Sequence, residues 1–172
     1  MHFHTLAALL LSAGSVVQAT FNLVHPRAMG FNNDKQSEAL CGGFNVTKEL
    51  YFRDWPTGGH DIKITDINDS HSLFMFNVAL LDDDNNFVQL YPDVSSQKKG
   101  TLCFKKIKGM NHPDWIGKKA IFQLKQHAGN GKFNYACAPV RFVEGDPDPN
   151  VCTGEGAPTQ TPGADTLTTS EG

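Results

Sequence analysis

"HSLFMFNVALLDDDNNFVQLY", residues 71–91, decides the fold. From Ser72 to Leu81 bulky apolar side chains fall on both alternating faces, which is the pattern of a central strand covered on both sides. "DDDNN", Asp82 to Asn86, breaks the run with turn residues, and "FVQLY" resumes it as the partner of a hairpin. On the amino-terminal side, "HDIKITDI" (60–67) alternates Ile62 and Ile64 with polar neighbours, the mark of a half-buried strand. On the carboxy-terminal side, "GTLCFKKI" (100–107) and "KKAIFQLKQH" (118–127) read as two more strands. "AGNG" (128–131) then turns the chain into "KFNYACAPVRFV" (132–143). Short strands punctuated by Gly, Pro and Asn predict an all-β sandwich, Ig-like or fibronectin-like, with about seven or eight strands. Long helical periodicity is absent. Short helical turns are expected at most in "NDKQSEAL" (33–40) and "MNHPDWIG" (110–117), and no internal repeat is visible.

The two ends of the chain differ from this body. Residues 1–19, "MHFHTLAALLLSAGSVVQA", carry an apolar run from Leu6 to Leu11, then small residues, with Val17 and Ala19 where a signal peptidase reads. The run is too short to span a bilayer. We therefore expect a secretory signal, cleaved after Ala19, with Thr20 as the first mature residue. From Gly145 onward the sequence is Pro, Gly, Thr and Asp with almost no bulky apolar residue, too little to offset chain entropy. Residues 20–152 are read as one domain and 153–172 as a flexible tail. A glycolipid-anchor signal needs a hydrophobic end, and "TTSEG" offers none, so the expected destination is extracellular without an anchor.

Four cysteines, Cys41, Cys103, Cys137 and Cys152, contain no C-x-x-C pair, which argues against a zinc site or a thioredoxin-type centre. In a secreted chain they predict two disulfides, with three connectivities open. The pairing Cys41 with Cys137 and Cys103 with Cys152 is carried forward as a working choice. Asn45 and Asn68 each begin an N-x-[ST] sequon, the acceptor of N-glycosylation. A formal charge of −3 offers nothing basic enough for nucleic acid. Neither G-x-S-x-G, a phosphate loop nor H-E-x-x-H occurs. "DDDNN" lacks the spaced ligands and distal Glu of a calcium loop, and is read as a solvated turn. His25, His60, His71, His112 and His127 each read singly as surface or structural residues.

Taken together, several stretches resemble the fungal copper acquisition factor-like family, secreted β-sandwich domains similar to lytic polysaccharide monooxygenases. "TFNLVHPRAMGFNNDKQSEALCGGF" (20–44) resembles the family's opening through Phe21, Leu23, Pro26, Gly30-Phe31 and Cys41-Gly42-Gly43-Phe44. "WPTGGHDIKI" (55–64), "DSHSLFMFNV" (69–78) and "GKFNYACAPVRF" (131–142) resemble three further family motifs, in order. The resemblance spans Thr20 to Cys152. It implies a copper site built from an amino-terminal histidine, a histidine before the central strand and an aspartate after Cys-Ala, a donor set that suits copper.

This chain departs from that set. Thr20 holds the first position, His71 retains the second, and Pro139 holds the third, with neither a side-chain ligand nor an N–H. Met29 replaces the usual arginine before Gly-Phe. His25 stands too far along the strand from Thr20 to supply the missing imidazole, and His60 or His127 could meet His71 only through the fold. The resemblance thus implies a copper-linked, non-enzymatic, cell-surface protein, here a monomer with a degenerate site that holds copper weakly or not at all. The alternative is an extracellular module for wall glycan or a host protein, with Tyr51, Phe52, Trp55 or Trp115 as its aromatic platform. A true polysaccharide monooxygenase needs an open redox-metal site, for which these ligands do not suffice.

Overall fold

Alternating apolar residues need two sheets to bury them, and two are formed. The computed structural model describes residues 20–47, 50–68, 71–83, 86–97, 99–108, 113–146, 148–153 and 159–160. Residues 1–19, His112 and most of the tail lie outside the described residues. The strands are β1 (Asn22–His25), β2 (Arg53–Pro56), β3 (His60–Ile67), β4 (Ser72–Leu80), β5 (Val88–Ser96), β6 (Gly100–Ile107), β7 (Lys119–Ala128), β8 (Phe133–Val143) and β9 (Thr159–Gln160). One sheet runs β1-β3-β6-β9 and the other β2-β8-β7-β4-β5. A 3-10 turn, Pro113–Trp115, falls inside "MNHPDWIG". None of the helices among the described residues is long and apolar enough to cross a membrane.

The expected hairpin forms, with Phe74 opposite Val94 and Val78 opposite Val88. β4 sits between β5 and β7, with Phe74, Phe76 and Val78 buried on its inward face and Leu73, Met75 and Asn77 half-buried on the outward one. Its inward residues Phe74, Phe76 and Val78 meet Phe122 and Leu124 of β7, Ala138 and Val140 of β8, and Ile62, Ile64 and Phe104 of the facing sheet. Each of the Val, Leu, Ile and Phe side chains among them contributes about 1.5–3 kcal/mol on removal from water.

The outward face of the larger sheet is also partly covered. Residues between β1 and β2 lie over it, and Cys41, Ile121 and Cys137 form a second apolar cluster with Met29, Phe44 and Leu50. Cys41 is bonded to Cys137, and Cys103 to Cys152. The first bond closes a separation of 96 residues, worth roughly 4–5 kcal/mol in the chain-entropy picture. Gly42 is required under this cover. Its φ is +64°, and a Cβ there would stand 2.6 Å from the Tyr135 carbonyl oxygen.

Candidate functional site

Strand register sorts the candidate residues to two ends of the sandwich. β3 starts at His60, opposite Ile107, and ends at Ile67, opposite Gly100. Asn68 follows Ile67, and three residues later His71 leads into β4. β1 runs antiparallel to β3, with Asn22 opposite Thr65, so Thr20 arrives at the Asn68 end. The first and second positions of the implied copper site therefore share one end of the fold, called here the amino end.

At that end the start of the domain is held by side-chain amides. The Thr20 backbone N–H donates to Asn68 Oδ1 at 2.7 Å, and Asn68 Nδ2 donates to the Thr20 hydroxyl at 3.2 Å. One residue on, the Phe21 N–H donates to Gln36 Oε1 at 3.3 Å, while Gln36 Nε2 donates to the Phe21 carbonyl. Gln36 thereby acts as a one-residue strand beside Phe21, and its own carbonyl accepts from the Tyr135 N–H of β8 at 2.8 Å. Thr20 and Gln36 are both buried. Below them a ladder of polar groups crosses the larger sheet. Asn134 Nδ2 donates to Gln126 Oε1 at 3.1 Å, and Gln126 Nε2 donates to Ser72 Oγ at 2.8 Å.

His71 is exposed at the start of β4 and lines a 380 Å³ cavity with Leu73, Ser95, Gln97 and His127. Of the two histidines that only the fold could bring near it, His127 therefore does share its cavity. The His127 ring stacks on Phe133 with centroids 4.6 Å apart, and Lys125 Nζ stands 3.9 Å over the other ring.

Pro139 does not meet these residues. Ser72 pairs with Ala128, Ala79 with Ile121, and Ile121 with Pro139, which sets Pro139 level with Ala79. Seven residues of strand separate Ala79 from Ser72, roughly 23 Å. Pro139 lies instead on the outward face beside Arg27, Met29 and Tyr51. The β8 residues that do reach the amino end, Phe133 and Asn134, bring no carboxylate. Among the described residues no group of three or more His, Cys, Asp or Glu could hold a metal ion. The residues present do not fit the copper site that the resemblance implies.

His60 is at the far end and meets His25, whose position on β1 pairs with Lys63. Their ring centroids are 4.6 Å apart, and Trp55 lies 4.9 Å from His60. Trp55 is fully buried and packs on Phe122 and Phe142. Burial pushes the His60 pKa down to about 4, helped by the neighbouring His25, while Asp148 opposes the shift. His25 is lowered as well, by burial first.

Sequence reasoning missed Asn68 as an amide clamp, Gln36, and the Ser72–Gln126–Asn134 ladder. A signal for the ladder was present: Gln126 and Asn134 stand at the inward parity of β7 and β8, among Phe122, Leu124, Ala136 and Ala138. Polar residues at core positions need partners, and these partner one another. Of the aromatic platform, Trp55 is core, Trp115 packs on Phe142, and Tyr51 is 74% exposed.

A family model described as copper acquisition factor BIM1-like matches residues 18–155 of the chain. No curated protein matches it.

Proposed function

Since the chain belongs to the BIM1-like copper acquisition factor family, we propose that it is a secreted, copper-linked domain whose own amino-end metal site is degenerate. The mature chain starts at Thr20, acts outside the cell as a monomer, and performs no polysaccharide oxidation. Nucleic acid and a membrane span have no part in this reading.

The observation that carries the proposal is the bonding of Thr20. The nitrogen that becomes the amine on cleavage after Ala19 is already engaged with Asn68 Oδ1, and the side chain beside it is a hydroxyl held by the same amide. An imidazole and amine on one residue grip a metal at two points without a second ordering cost. Here that grip is absent, and His71 is left with His127 as its nearest imidazole in the cavity.

The test is calorimetric titration with Cu(II) of protein whose amino terminus has been confirmed as Thr20 by sequencing. The expected result is no sub-micromolar binding that depends on His71. Sub-micromolar affinity lost in His71→Ala would overturn the reading.

A second reading, a binding module for wall glycan or a host protein, is favoured by one observation. Tyr51 projects into solvent with the Arg53 guanidinium 4.5 Å from its ring centre. Retention on chitin or β-glucan that falls in Tyr51→Ala supports it, and no retention on either counts against it.

A further inference from the structure

The two sequons, Asn45-Val46-Thr47 and Asn68-Asp69-Ser70, place their amides in different surroundings. Both asparagines are exposed, so exposure does not separate them. Bonding does. Asn68 Oδ1 accepts the Thr20 N–H, and Asn68 Nδ2 donates to the Thr20 hydroxyl. With both bonds on one residue, the amide uses its oxygen and the hydrogen on the oxygen's side. A glycosylated asparagine is a secondary amide that holds its sugar trans to Cβ, in place of that same hydrogen, the cis form being disfavoured. A sugar on Asn68 would therefore break the bond to the Thr20 hydroxyl and press on Thr20, which is buried.

Asn45 belongs to the segment that Cys41 pins over the larger sheet. It lines a 340 Å³ cavity together with Leu40, Phe44, Val46, Phe87 and Ile121, between that segment and the sheet's outer face. Leu40 and Val46 are exposed there, and an apolar patch left open to water marks a place where something is covered or bound. We propose that Asn45 carries an N-linked glycan, that Asn68 carries none, and that the Asn45 glycan lies over this apolar groove. Covalent attachment beside Val46 commits the groove to this occupant. A sugar suits it, with C–H faces to lay on Leu40 and Val46 and hydroxyls to keep in water, and the whole chain of sugars is bulky and solubilising. In the transfer, Asn45 Nδ2 bonds to C1 of the first sugar of a lipid-diphosphate-linked oligosaccharide. The C1–O bond breaks, the diphosphate leaves with the electron pair, and Nδ2 gives up one proton. The proposal rests on the secretory reading, because that donor is a lipid of the secretory membranes.

The test uses the full chain secreted from a eukaryotic host. Enzymatic release of N-glycans in heavy-oxygen water converts each glycosylated Asn to a labelled Asp, which peptide mass spectrometry locates. The label is expected at Asn45 and not at Asn68. Asn45→Gln and Thr47→Ala should each lose one glycan's mass while keeping both disulfides, and should bind a hydrophobic dye about twofold or more over the glycosylated protein. Ser70→Ala, which deletes the other sequon and leaves the Asn68 amide in place, should change neither mass nor dye binding. A label at Asn68, a bare Asn45 on the secreted chain, or dye binding unchanged in both sequon variants overturns the proposal. A chain kept inside the cell with residues 1–19 uncleaved defeats the secretory reading and this one with it. Sub-micromolar Cu(II) binding lost in His71→Ala defeats the reading of the amino end and not this one.

Discussion

The two ends of the sandwich treat buried polarity in opposite ways. At the amino end Ser72, Gln126 and Asn134 bond in series, and Asn68 and Gln36 bond the incoming backbone. At the far end His25, His60 and Trp55 stack ring on ring, with four ring nitrogens left bare. Amides suit the first task because each offers both donor and acceptor. Imidazoles suit the second because, kept neutral, they pack as aromatic rings and still hold a lone pair ready. Histidine count alone would rank the ends equally. Partners separate them.

Acid should separate them most. The unfolded His60 binds a proton below about pH 6.5, whereas the folded one resists until about pH 4. Between those values the unfolded state holds more protons, so stability falls as pH drops through this window. The loss reaches up to about 3 kcal/mol at 1.36 kcal/mol per pKa unit. Denaturant melts at pH 7 and pH 4 should show this dependence, and His60→Phe should remove most of it. Equal loss in that variant would assign the effect to other groups.

Next in size is His60→Ala. Removing a ring packed between His25 and Trp55 should cost about 2–3 kcal/mol in urea unfolding. His60→Phe should cost clearly less, since it also removes two unsatisfied nitrogens. If both variants cost the same, the bare nitrogens carry no penalty and the contrast between the ends weakens.

The smallest effect lies at the amino end. Asn68→Ala removes both bonds to Thr20 and should lose about 1–2 kcal/mol, while His71→Ala, at an exposed edge, should stay within about 0.5 kcal/mol. A larger loss in His71→Ala would show that His71 has a structural task there.

Much of the sandwich was legible because alternation reports local burial. Ile62 and Ile64 and the Phe74–Phe76–Val78 series fall where their spacing puts them, and the strand ends at Leu80, one residue before the expected Leu81. The four-residue β2 was not legible. It pairs in parallel with β8, at the opposite end of the chain, and Arg53 and Asp54 give it no strand pattern. The site was legible residue by residue and not as an arrangement. Motif order sets Thr20, His71 and Pro139 side by side on paper, whereas register carries Pro139 to the middle of a different strand. The pairing of His25 with His60 depends on a shift in register between Leu23 and His25, which no periodicity announces.

The bond between Cys41 and Cys137 has a consequence for where this chain can safely exist. It pins a flap over Ile121 and its neighbours on the sheet's outer face. In a reducing compartment the two-sheet body would keep its interior, yet the flap could lift and uncover a greasy patch inviting self-association. Oxidation therefore does more than tighten the molecule. It keeps that apolar patch covered.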